Sequence, residues 1–214
     1  MKFCVVPVTP FQQNCTLLWC EASGRGAAVD PGGDIERIVD VAQRQGVTLE
    51  KLLLTHGHLD HAAGAGALAQ RLGIPVEGPH EDDRFLFANL ANQCAAYGFP
   101  PPTPFEPSRW LHQGDRVAVG EEFLEVLHCP GHTPGHVVYF HRGNRIALVG
   151  DVLFKGSIGR TDFPRGDHAA LLDSIRKRLW PLGGDVQFIP GHGPISNFAD
   201  ERRGNPFVGD AALA

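Results

Sequence analysis

The sequence predicts an α/β protein made of two mixed β-sheets packed face to face, with helices on the outer faces. Three observations predict it. Short strand patterns cluster early in the chain and again after its middle. A helical pattern and a further apolar strand follow each cluster. The strand ends lead into loops rich in Gly, Pro and His. With 214 residues, 43% hydrophobic and 20% charged, the chain can bury one sizeable core.

Residues 3–8 and 14–20 read as strands, Gly24, Arg25 and Gly26 as a turn, and residues 27–30 as a third strand. Strands alternating with tight turns predict an antiparallel meander. Asp30, Pro31, Gly32 and Gly33 interrupt it. Asp34 is placed to cap a helix in which Ile35, Ile38, Val39 and Ala42 recur at helical spacing, and Gly46 to end it. Residues 52–54 read as a buried strand, and residues 62–73 as a helix. A short strand at 74–76 and a short helix through Phe85 and Leu90 follow. Pro100, Pro101, Pro102 and Pro104 exclude regular structure from 99 to 107. Residues 116–119, 123–128, 137–140 and 146–149 read as four strands. Asp167 caps a helix from 168 to about 179, with Leu171, Leu172, Ile175 and Leu179 on its buried side. Residues 186–189 form a last core strand, and the polar tail after Asn197 reads as irregular or weakly helical.

The net charge of −5 argues against general nucleic-acid binding, which needs a basic surface. No apolar run approaches membrane-spanning length, and residues 1–11 lack the apolar segment of a signal peptide. Five cysteines without a CxxC pair read as reduced, packed thiols, so a cytoplasmic location is expected.

Chemistry concentrates at Thr55-His56-Gly57-His58-Leu59-Asp60-His61, a strand-to-helix corner. Alternate residues of an extended segment project to one side, so His56, His58 and Asp60 can converge, with His61 near the helix start. Imidazoles and a carboxylate suit zinc, and also iron or manganese. His132 lies between two predicted strands, and Asp151 and His192 follow two others, all beside Gly or Pro. Loops at strand ends meet along one sheet edge, where sites are commonly held.

His56-x-His58-x-Asp60-His61 with His132, Asp151 and His192, preceded by Val29-Asp30-Pro31-Gly32-Gly33, resembles the metallo-β-lactamase fold superfamily. The resemblance spans roughly residues 7–194. It implies a four-layer αββα sandwich as a single domain over residues 1–214, with two divalent metal ions at one edge. Zinc is the expected ion, with iron and manganese as alternatives. By the resemblance His56, His58 and His132 hold the first ion, Asp60, His61 and His192 the second, and Asp151 bridges them. Asp30 is a candidate to steady a ligand imidazole, or else a turn cap.

Residues 132–140 and 150–154, with Gly159-Arg160, look most like the type II glyoxalases, the hydroxyacylglutathione hydrolases, in their short bacterial branch. The implied reaction is hydrolysis of a glutathione thioester such as S-D-lactoylglutathione by a metal-bound hydroxide that Asp60 could orient. Arg160 and Lys155 are the candidate clamp for an anionic substrate. Longer members add a C-terminal helical domain and a Tyr after the last ligand. This chain has Gly193-Pro194 there, and the helical domain is not expected. Two other readings stand beside the hydrolase. Arg160-Thr161-Asp162-Phe163 also resembles the persulfide dioxygenases, whose single iron is held by residues matching His56, His132 and Asp151. The other is a binding protein that keeps metal for stability. No membrane or nucleic-acid partner is expected, and the sequence does not set the oligomeric state.

Overall fold

The computed structural model describes residues 1–213. The first half opens with β1 (Lys2–Val8), β2 (Gln13–Trp19) and β3 (Arg25–Val29), then α1 (Ile35–Arg44) and β4 (Thr48–Leu53). Helices α2 (Leu59–Ala62) and α3 (Ala65–Leu72), β5 (Val76–Glu77), α4 (Arg84–Ala88) and α5 (Leu90–Ala96) follow. The second half has β6 (Arg116–Val119), β7 (Glu122–His128), β8 (Val137–His141) and β9 (Ile146–Gly150), then a small hairpin of β10 (Leu153–Phe154) and β11 (Ser157–Ile158). It ends with α6 (His168–Ser174), β12 (Gln187–Pro190), β13 (Ser196–Asn197) and α7 (Phe198–Gly204).

One sheet has the order β1-β2-β3-β4-β5 and the other β13-β12-β9-β8-β7-β6. Both are mixed. In the first, β1, β2 and β3 pair antiparallel, as the meander pattern predicts, while β4 pairs parallel to β3 and β5. In the second, β6 to β9 pair antiparallel and β12 returns parallel to β9. Each half thus runs a meander, crosses over through a helix and adds a parallel strand. Parallel pairing needs such a crossover, and α1 and α6 supply it.

Three apolar clusters place the layers. Leu18, Val29 and Leu53 of the first sheet meet Val117, Val126 and Tyr139 of the second, which is the sheet-on-sheet core. Leu17, Leu52 and Leu54 pack against Ile38, Val39 and Leu68 of the first helical layer. Phe140, Val149 and Phe188 pack against Leu171, Ile175 and Phe198 of the second. Together they form the four-layer αββα sandwich.

Several local readings change. Asp34 begins α1 but makes no side-chain cap; its Oδ2 accepts from Thr9 N at 2.8 Å instead. The helix expected over 62–73 starts earlier and divides at Ala63 and Gly64. A Cβ on Gly64 would lie 2.4 Å from the carbonyl oxygen of Pro31, so close packing on the Asp30–Gly33 loop sets the break. The helix after Asp167 widens into a π turn over Ile175–Leu179. The tail is ordered: Asn197 caps α7 through Asp200 N, and Phe198 is buried against Trp180 and Phe188. Asp167 caps α6 through Ala170 N, as read from the sequence.

Candidate metal centre

In open α/β sheets, ligands bind beyond the carboxyl ends of the strands. Here β3 ends before Asp30, β4 before His56, β9 before Asp151 and β12 before His192, while His132 lies in the β7–β8 connection. These ends belong to both sheets and face one edge. His58 still has extended backbone, with φ −73° and ψ 152°, while Asp60 and His61 lie on α2. The corner therefore turns after the second imidazole, and all four side chains reach one space.

His56, His58 and His132 form one group. His58 Nδ1 lies 3.1 Å from His56 Nε2 and 2.9 Å from His132 Nε2. Asp60, His61 and His192 form the second: Asp60 Oδ2 is 3.0 Å from His192 Nε2 and 3.6 Å from His61 Nε2. Asp151 reaches both. Its Oδ1 is 3.4 Å from His61 Nε2, and its Oδ2 is 3.6 Å from His132 Nε2 and 3.7 Å from His192 Nε2.

Surrounding polar groups decide which nitrogens face inward. His61 Nδ1 donates to Asp30 Oδ2 at 2.9 Å, His132 Nδ1 to the Arg160 carbonyl at 2.7 Å, and His192 Nδ1 to the Phe11 carbonyl at 3.3 Å. Each leaves an Nε2 lone pair toward the site. Asp30 also accepts from Thr55 N at 2.7 Å and Thr55 Oγ1 at 2.6 Å. Thr55 Oγ1 lies 3.0 Å from His56 Nδ1, so Asp30 orders His61 directly and His56 through the threonine. The Asp30 backbone is left-handed, φ 54°, so the residue turns the chain as well.

The site's charge suits cations. Burial drives His56 well below the ordinary histidine range and lowers His58 to about 3, with neighbouring imidazoles adding to the effect. Burial also lowers His132. Neutral imidazoles with free lone pairs are metal donors. Burial works against charge on Asp151, but His61 and His132 hold its carboxyl far below the usual range. His61 moves the other way: burial opposes its charge, and Asp151, Asp60 and Asp30 outweigh it. His61 Nε2 and Asp151 Oδ1 are buried without a hydrogen-bond partner. Unpaired buried polar atoms are costly, and bound cations would satisfy both. The donor set therefore fits two divalent ions. Gly191 is required by this closeness, since a Cβ there would lie 2.1 Å from Asp151 Oδ1.

The metallo-beta-lactamase superfamily model matches residues 8–192. The chain belongs to that superfamily. It is 44% identical over 209 residues to hydroxyacylglutathione hydrolase GloC of Haemophilus influenzae, covering 97% of this chain and 98% of that protein. Among solved structures, BLEG-1 B3 metallo-beta-lactamase superposes with a TM-score of 0.89 at 33% identity, covering 97% of this chain and 99% of that one. TTHA1623 in a di-iron-bound form superposes with a TM-score of 0.86 at 36% identity, covering 95% and 98%. These similarities and the donor clusters make the chain a hydrolase that uses divalent metal.

A pocket of about 1000 Å³ opens over the donors, walled by Phe11, Phe85, Tyr97, Phe154 and Phe163. Phe163 packs on His58 and His132 at ring separations of 4.7 and 5.7 Å. Lys155 and Arg160, the expected clamp, both line this pocket. Their states differ. Arg160 donates from Nε and Nη2 to Asp162, both at 2.6 Å, and lies over the Phe163 ring. Two donors of its guanidinium fork thus already face a carboxylate. Lys155 makes no ion pair among the described residues. No helix among the described residues is long and apolar enough to cross a membrane.

His136 sits behind the donors. Its ring stacks on His56 at 4.7 Å, and its Nε2 accepts from Asp151 N at 3.1 Å. Cys129 is fully buried and its thiol is pushed up to about 12 by burial, which suits packing. The sequence reading missed Asp83. Fully buried, it accepts from Gly57 N at 3.0 Å, Thr133 Oγ1 at 2.8 Å and Gly135 N at 2.6 Å. It ties the His56–His58 corner to the His132 loop. Its run Glu81-Asp82-Asp83-Arg84 is polar in sequence, and only the fold shows that Asp83 is enclosed.

Proposed function

We propose that the chain hydrolyses glutathione thioesters, with S-D-lactoylglutathione as the reference substrate, using two divalent ions of which zinc is the first choice. The observation that carries this reading is the convergence of seven donors on two adjacent positions at the floor of an open pocket. The 44% identity to a hydroxyacylglutathione hydrolase supports the substrate class.

In this reading His56, His58 and His132 hold one ion, Asp60, His61 and His192 the other, and Asp151 touches both. Bound there, the ions would lower the pKa of a water to the neutral range and polarise the thioester carbonyl. Asp60 stays ionised, because His61 and His192 outweigh the burial that opposes its charge. Its carboxylate is placed to accept a hydrogen bond from the attacking water and aim it. Phe154 and Phe163 give the pocket an apolar wall beside the donors. The thiolate leaves with little need of a proton. Lys155 is the cation available for a glutathione carboxylate. Arg160 and Asp162 act as a fixed rim.

A single-iron persulfide dioxygenase would use His56, His132 and Asp151 and give Asp60, His61 and His192 no role. Their convergence favours the hydrolase. The test is thioester cleavage by protein of measured metal content, with oxygen uptake on glutathione persulfide run in parallel. Cleavage abolished by chelation and restored by two ions per chain supports the hydrolase. Oxygen consumption with one iron and no cleavage would overturn it.

A further inference from the structure

A second group of imidazoles lies outside the catalytic pocket. His80 precedes the short turn Glu81–Asp83, and His112 lies on a segment locked beside it. Leu111 N donates to the Pro79 carbonyl at 2.9 Å, and Gly78 N to the Arg109 carbonyl at 2.8 Å. The backbone around His80 is further fixed by His80 N to the Gly135 carbonyl, 3.0 Å, and by Asp83 N to the His80 carbonyl, 3.1 Å. Two rigid strips thus hold the His80 and His112 rings 4.9 Å apart at 79°. The three rings of the first catalytic group show the same relation, at 4.7 to 5.0 Å and 81 to 87°.

One ring nitrogen of His80, one of His112 and a carboxylate oxygen of Glu81 lie within 4.8 Å of one another. The His112 Nε2 to Glu81 Oε1 distance is 3.8 Å. Neighbours complete the arrangement. His80 Nδ1 accepts from Asp82 N at 3.2 Å and lies 3.2 Å from Asp82 Oδ2, so an ion on Nε2 calls for the other tautomer, with Oδ2 accepting from Nδ1–H in place of the backbone contact. His128 stacks on His80 at 4.3 Å and 17°, and its Nε2 donates to the Pro134 carbonyl at 2.9 Å. Lone pairs lie in the ring plane, so parallel rings do not aim at one ion. His128 supports the His80 ring, and His112 with Glu81 completes the donor set.

We propose that His80, His112 and Glu81 form a peripheral site for a borderline divalent cation such as zinc, separate from the catalytic pair. Two imidazoles and a carboxylate are donors of the zinc type. His112 and Glu81 are more than half exposed at their side chains, so the remaining positions go to water and the ion exchanges with solvent. The turn that supplies Glu81 also carries Asp83, so a bound ion stiffens the turn that ties the two catalytic loops together. The site does not depend on which thioester the enzyme cleaves.

The test uses untagged full-length protein with its catalytic ions in place, titrated with zinc by calorimetry and equilibrium dialysis. Wild type takes up one more equivalent than His112→Ala, and Glu81→Gln weakens that equivalent at least tenfold. Both variants keep the catalytic ions, because neither residue touches them. Equal zinc uptake by wild type and His112→Ala overturns the proposal. So does an extra equivalent that survives unweakened in Glu81→Gln.

Discussion

Replacing Asp83 by Asn tests how the two catalytic loops are joined. The carboxylate accepts three hydrogen bonds, two on Oδ2 and one on Oδ1. An amide has a single acceptor oxygen, so one side of the new group faces a donor with a donor. Leaving a buried donor unpaired costs about 1–3 kcal/mol. The charge works in the opposite sense. Burial outweighs the three donors and lifts the Asp83 carboxyl from 3.8 to about 6. The folded pKa exceeds the unfolded one, so stability from this group is complete below the unfolded value and is lost as pH rises through the folded value. The rise amounts to about 3 kcal/mol against folding at pH 7.5, and about half of that at pH 5. Asn removes this term. Asp83→Asn should therefore cost more at pH 5 than at pH 7.5, by roughly 1–2 kcal/mol. Urea unfolding of wild type and variant at both pH values measures it, and subtracting the pair cancels titrations they share. An equal cost at both pH values, or a larger one at pH 7.5, would refute the reasoning and show that the three donors hold the carboxylate ionised.

Three further outcomes follow from the site. Asp30→Ala frees His61 Nδ1 and Thr55 together, and should lower metal affinity about 10- to 100-fold in competition with a chromophoric chelator; unchanged affinity would show that the imidazoles need no such support. Gly191→Ala puts a methyl against Asp151 Oδ1 and His61 Cε1, and should leave the fold intact by circular dichroism while lowering the bound metal per chain by elemental analysis. Lys155→Ala should raise KM for glutathione thioesters about tenfold, and Arg160→Ala should raise it less because Asp162 already holds that guanidinium; the reverse order would restore Arg160 as the clamp.

The layered fold was legible because the meander strands, the crossover helices and the final strand each carry their own apolar period. The donors were legible for a related reason: His56, His58, Asp60 and His61 lie within one short motif, and His132, Asp151 and His192 each sit beside Gly or Pro. What escaped depends on contacts between distant segments. Asp34 looks like a cap until Thr9 N takes its carboxylate. The division after α2 comes from the nearness of Gly64 to Pro31, which no local pattern records. Phe198 opens an otherwise charged helix and owes its burial to Trp180 and Phe188. Asp83 looks like one more surface acid until three donors from two loops close on it.

The pocket's aromatic walls come from stretches other than the donor loops. Phe11 precedes β2, Phe85 lies in α4, Tyr97 follows α5, and Phe154 and Phe163 belong to the β10–β11 hairpin and the loop after it. Bond cleavage and choice of substrate are thus written in separate passages of the chain. Drift at Phe11, Phe85 or Tyr97 can reshape the mouth while every donor keeps its place. New substrates can thus be tried one side chain at a time while the donor loops stay as they are.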